Sequence, residues 1–352
     1  MSPPAALTRE AIAGVDTTGQ LADILDLPEH LRDALWRVES ANLEPRDTPA
    51  GLVIAGMGGS AIGGALALAA LGDRASRPIQ PSRDYGLPPS LTPDATVLCS
   101  SYSGDTEETL AAFDAAGALG ARRIVCTTGG RLAQVAREET VPVIPLPGGF
   151  QPRAAVGYAL VVALEVASLA GAGESLRSEI DVAAAHAEQL VADWGPDAPE
   201  DSLAKSLARS LNGTTPQIAG AGLTTAVAYR WKTQINENAK ALAFASELPE
   251  LDHNEIVGWS GVEAARFSAI FLDDRDLHPR VRRRIELTEE IVAETAAFTR
   301  RIESGGENRT ERVVSLVLLG DLVSLYLAVL RGEDPASTVP IDRLKAALAD
   351  SG

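Results

Sequence analysis

The sequence predicts an α/β protein: two doubly wound parallel-sheet lobes with helices on both faces, preceded by an N-terminal helical leader. Three observations carry that expectation. Residues 51–71 run from a short apolar strand through a glycine turn into a small-residue helix. Strand and helix then alternate as far as residue 146, the pattern of a parallel sheet covered on both sides. A second strand running into a glycine turn begins at Pro216 and opens a similar, degenerate round.

Residues 11–40 carry helical spacing in Leu21, Ile24, Leu25, Leu31, Leu35 and Trp36, with charges between, so the leader is expected to be a helix pair packed on the body. It holds no basic patch of the kind a DNA-binding head needs. Leu52, Val53 and Ile54 make the first strand, with a helix over 60–71. A weak strand follows near Ile79, flanked by Pro78 and Pro81. Then come strand 96–99, helix 106–119, strand 123–126, a short helix over 132–136 and strand 141–146. A loop from Pro147 to Arg153 leads into a long apolar helix, 154–170. Helices over 172–210 bridge to the second round: strand 216–222, helix 223–243, strands 267–272 and 298–302, and helices 279–297 and 310–331. Residues 246–259 read as a loop, and a short helix follows Thr338. The borders expected are a leader over 1–45, a first lobe over 46–172, a bridge over 173–210 and a second lobe over 211–352.

The formal net charge of −17 repels nucleic acid and anionic membrane, so an anionic small molecule must be held by local donors. Cys99 and Cys126 end apolar runs and read as buried thiols of a reducing compartment, which points to the cytoplasm. The start lacks a basic region followed by an apolar one, so no signal peptide is expected. For a membrane span the strongest candidate is 154–170, which Glu165 interrupts, and none is expected.

Two stretches point to an anion. Gly56-Met57-Gly58-Gly59-Ser60 is a strand-to-helix glycine turn whose N–H groups can face a ligand. Gly56, Gly58 and Ala61 also fit a relaxed dinucleotide fingerprint, but the second strand ending in an acidic residue is missing. The second stretch decides between them. Ser101-Tyr102-Ser103-Gly104-Asp105-Thr106 places three hydroxyls around a glycine at a helix start, a cradle for a phosphate dianion. A simple N-cap needs only one of them. The second round has no counterpart of this loop.

Four histidines are present, and His30, His186 and His278 read as surface residues. His253 lies in a segment dense in functional groups, just after a helix carrying the polar run Arg230 to Lys240. No His-x-His, His-Glu-x-x-His or paired-cysteine arrangement is present, so no metal is expected. There is no Gly-x-Ser-x-Gly elbow either. A phosphate cradle with a carboxylate and a histidine suits proton transfer beside a carbonyl.

Taken together, Gly56 to Ser60, Ser101 to Thr106, Pro152-Arg153, Asn236-Glu237-Asn238, Leu251-Asp252-His253-Asn254-Glu255 and Lys345 resemble the bifunctional phosphoglucose/phosphomannose isomerase family. The resemblance covers nearly the whole chain and implies two sugar-isomerase (SIS) domains. It implies that Ser60, Ser101, Ser103 and Thr106, with the turn glycines Gly58 and Gly59, hold a sugar phosphate. It implies Glu237 as the base moving a proton between C1 and C2, Arg153 as the group stabilising the enediolate, and His253 and Lys345 as aids to ring opening. It implies a homodimer in which His253 serves the neighbouring chain's site, no cofactor, and Thr338 as the residue that admits both C2 epimers. The leader and the extra length between lobes depart from the smallest members. Three rivals stand beside it: a phosphosugar sensor of the same fold, which would often carry a basic head; an amidotransferase, which needs an N-terminal glutaminase with a nucleophilic cysteine; and an isomerase for another phosphosugar.

Overall fold

The computed structural model describes residues 6–349. Its nine described strands form two all-parallel sheets. The first contains β1 (Leu52–Ala55), β2 (Ile79–Ser82), β3 (Thr96–Ser100), β4 (Arg122–Thr127) and β5 (Val143–Pro145), in the order β2-β1-β3-β4-β5. The second contains β6 (Thr215–Gly220), β7 (Phe244–Glu247), β8 (Phe267–Asp273) and β9 (Phe298–Glu303), in the order β7-β6-β8-β9. In each sheet the chain runs outward from its first strand, then crosses back to that strand's other side. That reversal opens a crevice beyond the strand ends, where ligands of open α/β sheets bind.

Both faces of each sheet are covered, and the strand sequences say so. Leu52 and Ile54 of β1 enter the core between the lobes, while Val53 and Ala55 face the outer cluster with Val97, Cys99 and Phe113. The two-residue period therefore reads apolar on both sides. Helices Glu107–Leu119 and Gly130–Glu138 supply the outer cover of the first sheet, and Pro279–Ala293 that of the second. Between the lobes, Gly58–Leu71, Val156–Leu169, Leu223–Ala239 and Arg309–Arg331 pack together in one continuous core.

Arg309–Arg331 is the core's longest helix. It opens with a capping box, in which Asn308 accepts from the Glu311 N–H at 2.9 Å and Glu311 accepts from the Asn308 N–H at 2.9 Å. It closes at Gly332, which is left-handed with φ 68°. By length and composition it could cross a bilayer, which corrects the expectation built on 154–170. Yet 89% of its apolar window is buried inside the protein, as befits a helix apolar on all sides.

The leader is three helices, Arg9–Ala13, Gln20–Leu25 and Leu27–Ser40, where a pair was expected; Gly14 ends the first and left-handed Gly19 starts the second. The helix expected over 223–243 stops at Ala239, because Lys240 adopts a left-handed φ of 50°. The chain then enters β7, so 246–259 begins as a strand and continues through two short helical turns. His30 is buried, not on the surface, its ring tilted against Phe150 at 4.8 Å and Tyr158 at 5.2 Å; burial lowers its pKa. Cys99 and Cys126 are free and fully buried, and burial pushes each thiol up to about 12, which leaves both inert.

Candidate active site

The loops after β1 and β3 start two helices at the first sheet's reversal point. Met57 and Thr106 stand at the N-cap positions of Gly58–Leu71 and Glu107–Leu119, and neither side chain accepts a capping bond. The first N–H groups of both helices therefore keep their donor capacity, and with it the positive ends of the helix dipoles. Gly58, Gly59 and Ser60 from one helix and Ser103, Thr106 and Glu108 around the other line a single cavity of about 320 Å³.

Thr106 has another task than capping. Its Oγ1 lies 2.9 Å from Ser101 Oγ, and Ser101 Oγ accepts from the Gly104 N–H at 3.1 Å. Gly104 is left-handed, φ 78°, and a Cβ there would stand 2.0 Å from the Gly129 carbonyl oxygen. The loop thus needs glycine at its apex. Ser101 is buried and does not line the cavity; it shapes the loop that presents Ser103 and Thr106. Ser60 Oγ accepts from the Tyr102 N–H at 3.3 Å and ties the two loops together.

The third wall is the loop carrying Arg153. Tyr102 OH donates to the Pro147 carbonyl at 3.1 Å and accepts from the Phe150 N–H at 2.9 Å. A Cβ at Gly59 would stand 2.6 Å from the Pro152 carbonyl oxygen, so only glycine lets this loop close on the helix start. Arg153 is 4% exposed. Its Nε donates to Asn238 Oδ1 at 2.8 Å, its Nη1 to Glu237 Oε2 at 3.0 Å, and its Nη2 to Gln20 Oε1 at 3.4 Å and to the Pro335 carbonyl. Burial lowers the guanidinium pKa from its ordinary value, and Glu237 offsets part of that.

Glu237 comes from the last turn of Leu223–Ala239, in the second lobe, and its side chain is 33% exposed. Lys240, three residues on, donates to the Glu237 carbonyl at 2.6 Å and to Pro335 at 3.4 Å; burial first, then Arg153, lowers its pKa. The closing wall is the segment around Thr338 and the helix Val339–Ala349, which bring Thr338, Ile341, Asp342 and Lys345 to the cavity. Thr338 Oγ1 donates to Asp342 Oδ2 at 3.3 Å.

Of the residues singled out in the sequence, Gly58, Gly59, Ser60, Ser103, Thr106, Arg153, Glu237, Thr338 and Lys345 meet on this cavity. His253 does not. Its neighbours are anchored, Leu251 in the core and Asp252 by Thr288 at 2.7 Å and Arg284 at 3.0 Å, while His253 itself is exposed. The sequence reading missed Tyr102, Gln151, Glu108 and Asp342 on the walls, and Gln20 and Pro335 behind them. Tyr102 alone had a signal, its place between Ser101 and Ser103. Among the described residues no group of three or more His, Cys, Asp or Glu is placed to hold a metal ion.

Comparison with known proteins bears on this site. A bifunctional phosphoglucose/phosphomannose isomerase of Caldicellulosiruptor bescii is 38% identical over 333 residues, 93% of this chain and 98% of that protein. One of Aquifex aeolicus is 35% identical over 85% of this chain and 90% of that protein. This chain belongs to the bifunctional phosphoglucose/phosphomannose isomerase family. The family model for the bacterial phospho-glucose isomerase C-terminal SIS domain matches residues 200–348, the stretch that supplies Glu237, Thr338 and Lys345. A hypothetical protein of Thermus thermophilus has the same fold, with a TM-score of 0.74 at 17% identity over 97% of this chain and 93% of that one.

Proposed function

We propose that the enzyme interconverts glucose 6-phosphate and mannose 6-phosphate with fructose 6-phosphate, by proton transfer through a cis-enediolate. One observation carries the reading. A carboxylate, a buried guanidinium and two uncapped helix N-termini with hydroxyls share one cavity of about 320 Å³, and Glu237 remains reachable from it. The phosphate sits with the N–H groups of Gly58 and Gly59 and the hydroxyls of Ser60, Ser103 and Thr106, while Ser101 braces the loop. Glu237 takes the C2 proton and returns it to C1. Arg153 faces the enediolate oxygens, a contribution of about 3–4 kcal/mol for one well-placed donor. Lys345, and His253 from a second chain, assist ring opening, and Thr338 leaves room for the mannose configuration. No cofactor takes part.

In this reading each sheet with its helices is a SIS domain, over 46–172 and 211–352, joined by 173–210 and preceded by the leader over 1–45. The enzyme is a cytoplasmic homodimer; its two buried, unpaired thiols suit a reducing compartment. The exposed position of His253, away from its own cavity, supports a site shared between chains.

The test uses fructose 6-phosphate, with glucose 6-phosphate and mannose 6-phosphate scored separately. Glu237→Gln lowers kcat by about 10³-fold or more and stops deuterium entry at C2 from solvent. Normal exchange in that variant would give the proton to another group. Mixing Glu237→Gln with His253→Ala chains then returns about a quarter of wild-type turnover, because half of randomly paired dimers hold one intact site. No recovery, with exchange confirmed by tag pull-down, refutes the shared site.

A further inference from the structure

We infer that Gln20, contributed by the leader, is a positioning residue for the isomerisation: it holds the Arg153 guanidinium in the one orientation that leaves a donor for substrate. The inference rests on the function proposed above, and it concerns how the reacting cation is aimed.

The hydrogen-bond directions follow from chemistry. Arg153 has five N–H donors and no acceptor. Four are engaged by protein groups: Nε with Asn238, Nη1 with Glu237, and Nη2 with Gln20 and Pro335. One Nη1 N–H remains, on the nitrogen beside the cavity carboxylate. Because Arg153 only donates, both side-chain amides must turn an oxygen toward it. Gln20 Oε1 accepts from Nη2, which leaves Gln20 Nε2 to donate to Asn238 Oδ1 at 2.9 Å. Asn238 Oδ1 thus takes two donors, and its Nδ2 donates to Ser324 Oγ at 2.9 Å. Ser324 directs its own proton to the Asp321 carbonyl at 2.8 Å, so it can only accept from Asn238. Every amide in the chain is fixed in direction, and none can flip without stranding a buried donor.

Gln20 is itself held. It is 1% exposed, and the Asp16 carboxylate accepts from the N–H groups of Gln20 at 2.9 Å and Leu21 at 2.8 Å. The leader helix therefore enters the site's foundation from 133 residues away in sequence. A surface leader would have no reason to bury an amide here, because an unpaired buried amide is costly.

The test is a kinetic cycle between Gln20→Leu and Arg153→Lys. Gln20→Leu is expected to lower kcat about tenfold, less than deletion of a whole transition-state donor, and to leave KM for fructose 6-phosphate within about twofold. In the Arg153→Lys background the same change is expected to cost nothing further, since the guanidinium it aims is gone. Equal losses in both backgrounds overturn the inference, as does an unchanged kcat in Gln20→Leu. Should Gln20→Leu not fold, Gln20→Asn, which withdraws the amide by one methylene, decides the matter in the same cycle. A second readout is independent of turnover. The Arg153 Nε–H resonance, assigned by its loss in Arg153→Lys, is expected to exchange slowly in the wild type and at least tenfold faster in Gln20→Leu. Slow exchange in both refutes the clamp. A wild type inactive on the hexose phosphates, but with this exchange difference, refutes the proposed function and leaves the clamp standing.

Discussion

Beyond the C-terminal ends of β1 and β3, the first lobe leaves two helix starts uncapped and sets hydroxyls around them. Beyond β8, at the matching place in the second lobe, the chain fills the crevice with its own charges. Asp274 follows directly after β8 and is 1% exposed. It accepts from Arg312 at 2.8 Å and from Ser304 at 2.6 Å, and Arg312 also pairs with Asp276. Near the end of β6, Thr224 Oγ1 accepts from the Ala221 N–H at 2.9 Å. Both sheets have the same strand order around the reversal, so topology provides the crevice twice. Whether a crevice binds depends on whether the chain has already neutralised it. The second lobe carries a built-in anion beyond β8, whereas the first lobe's helices open at Gly58 and Glu107 without a side-chain cap. The second lobe's contribution to the site comes from elsewhere, from the far end of Leu223–Ala239 and from the helix Val339–Ala349.

The strongest way to break this contrast is to empty the filled crevice. Asp274→Ala leaves Arg312, 2% exposed, without its buried partner. Denaturant unfolding is expected to report a loss of about 3–5 kcal/mol, while the folded enzyme keeps its KM for fructose 6-phosphate. A raised KM at unchanged stability would make the second crevice part of the binding site.

The open crevice gives the next effect. Ser103→Ala removes one hydroxyl from the cavity wall without touching the Ser101–Thr106 brace. KM is expected to rise by roughly 10- to 100-fold, the worth of one hydrogen bond to a charged group at about 1.5–3 kcal/mol, with kcat kept. An unchanged KM would move the phosphate elsewhere.

The smallest effect is expected at the closing wall. Thr338→Gln narrows the sugar end of the cavity and is expected to shift the ratio of mannose to glucose 6-phosphate turnover several-fold, about 1 kcal/mol, toward glucose. Equal losses on both sugars would assign Thr338 to the helix start alone.

What the sequence disclosed follows the range of each interaction. The loop Ser101 to Thr106 was legible because its hydroxyls, glycine and helix start are neighbours in sequence. The sheet strands were legible because both faces of Leu52 to Ala55 are apolar. β7 was not: four residues, Phe244 to Glu247, offer too short a run, and the alanines before them read as a helix that left-handed Lys240 in fact ends. His30 was misread because its polar sequence neighbours conceal a burial made by Phe150 and Tyr158. Gln20 meets Asn238 across 218 positions, and no local pattern announces that.

Arg153 Nη2 touches Gln20 on one side and the carbonyl of Pro335 on the other. A single nitrogen thus joins an early segment of the chain to a late one. On a ribosome the first sheet, its hydroxyl loop and the Arg153 loop are all made while the closing helix is still untranslated. The nascent first lobe can fold as a unit, yet its arginine has neither its carboxylate neighbour, Glu237, nor the Pro335 oxygen until those residues emerge. Synthesis therefore delivers the hydroxyl loop first and the complete cavity last, and any chain cut short of Pro335 lacks one of the four acceptors around the guanidinium.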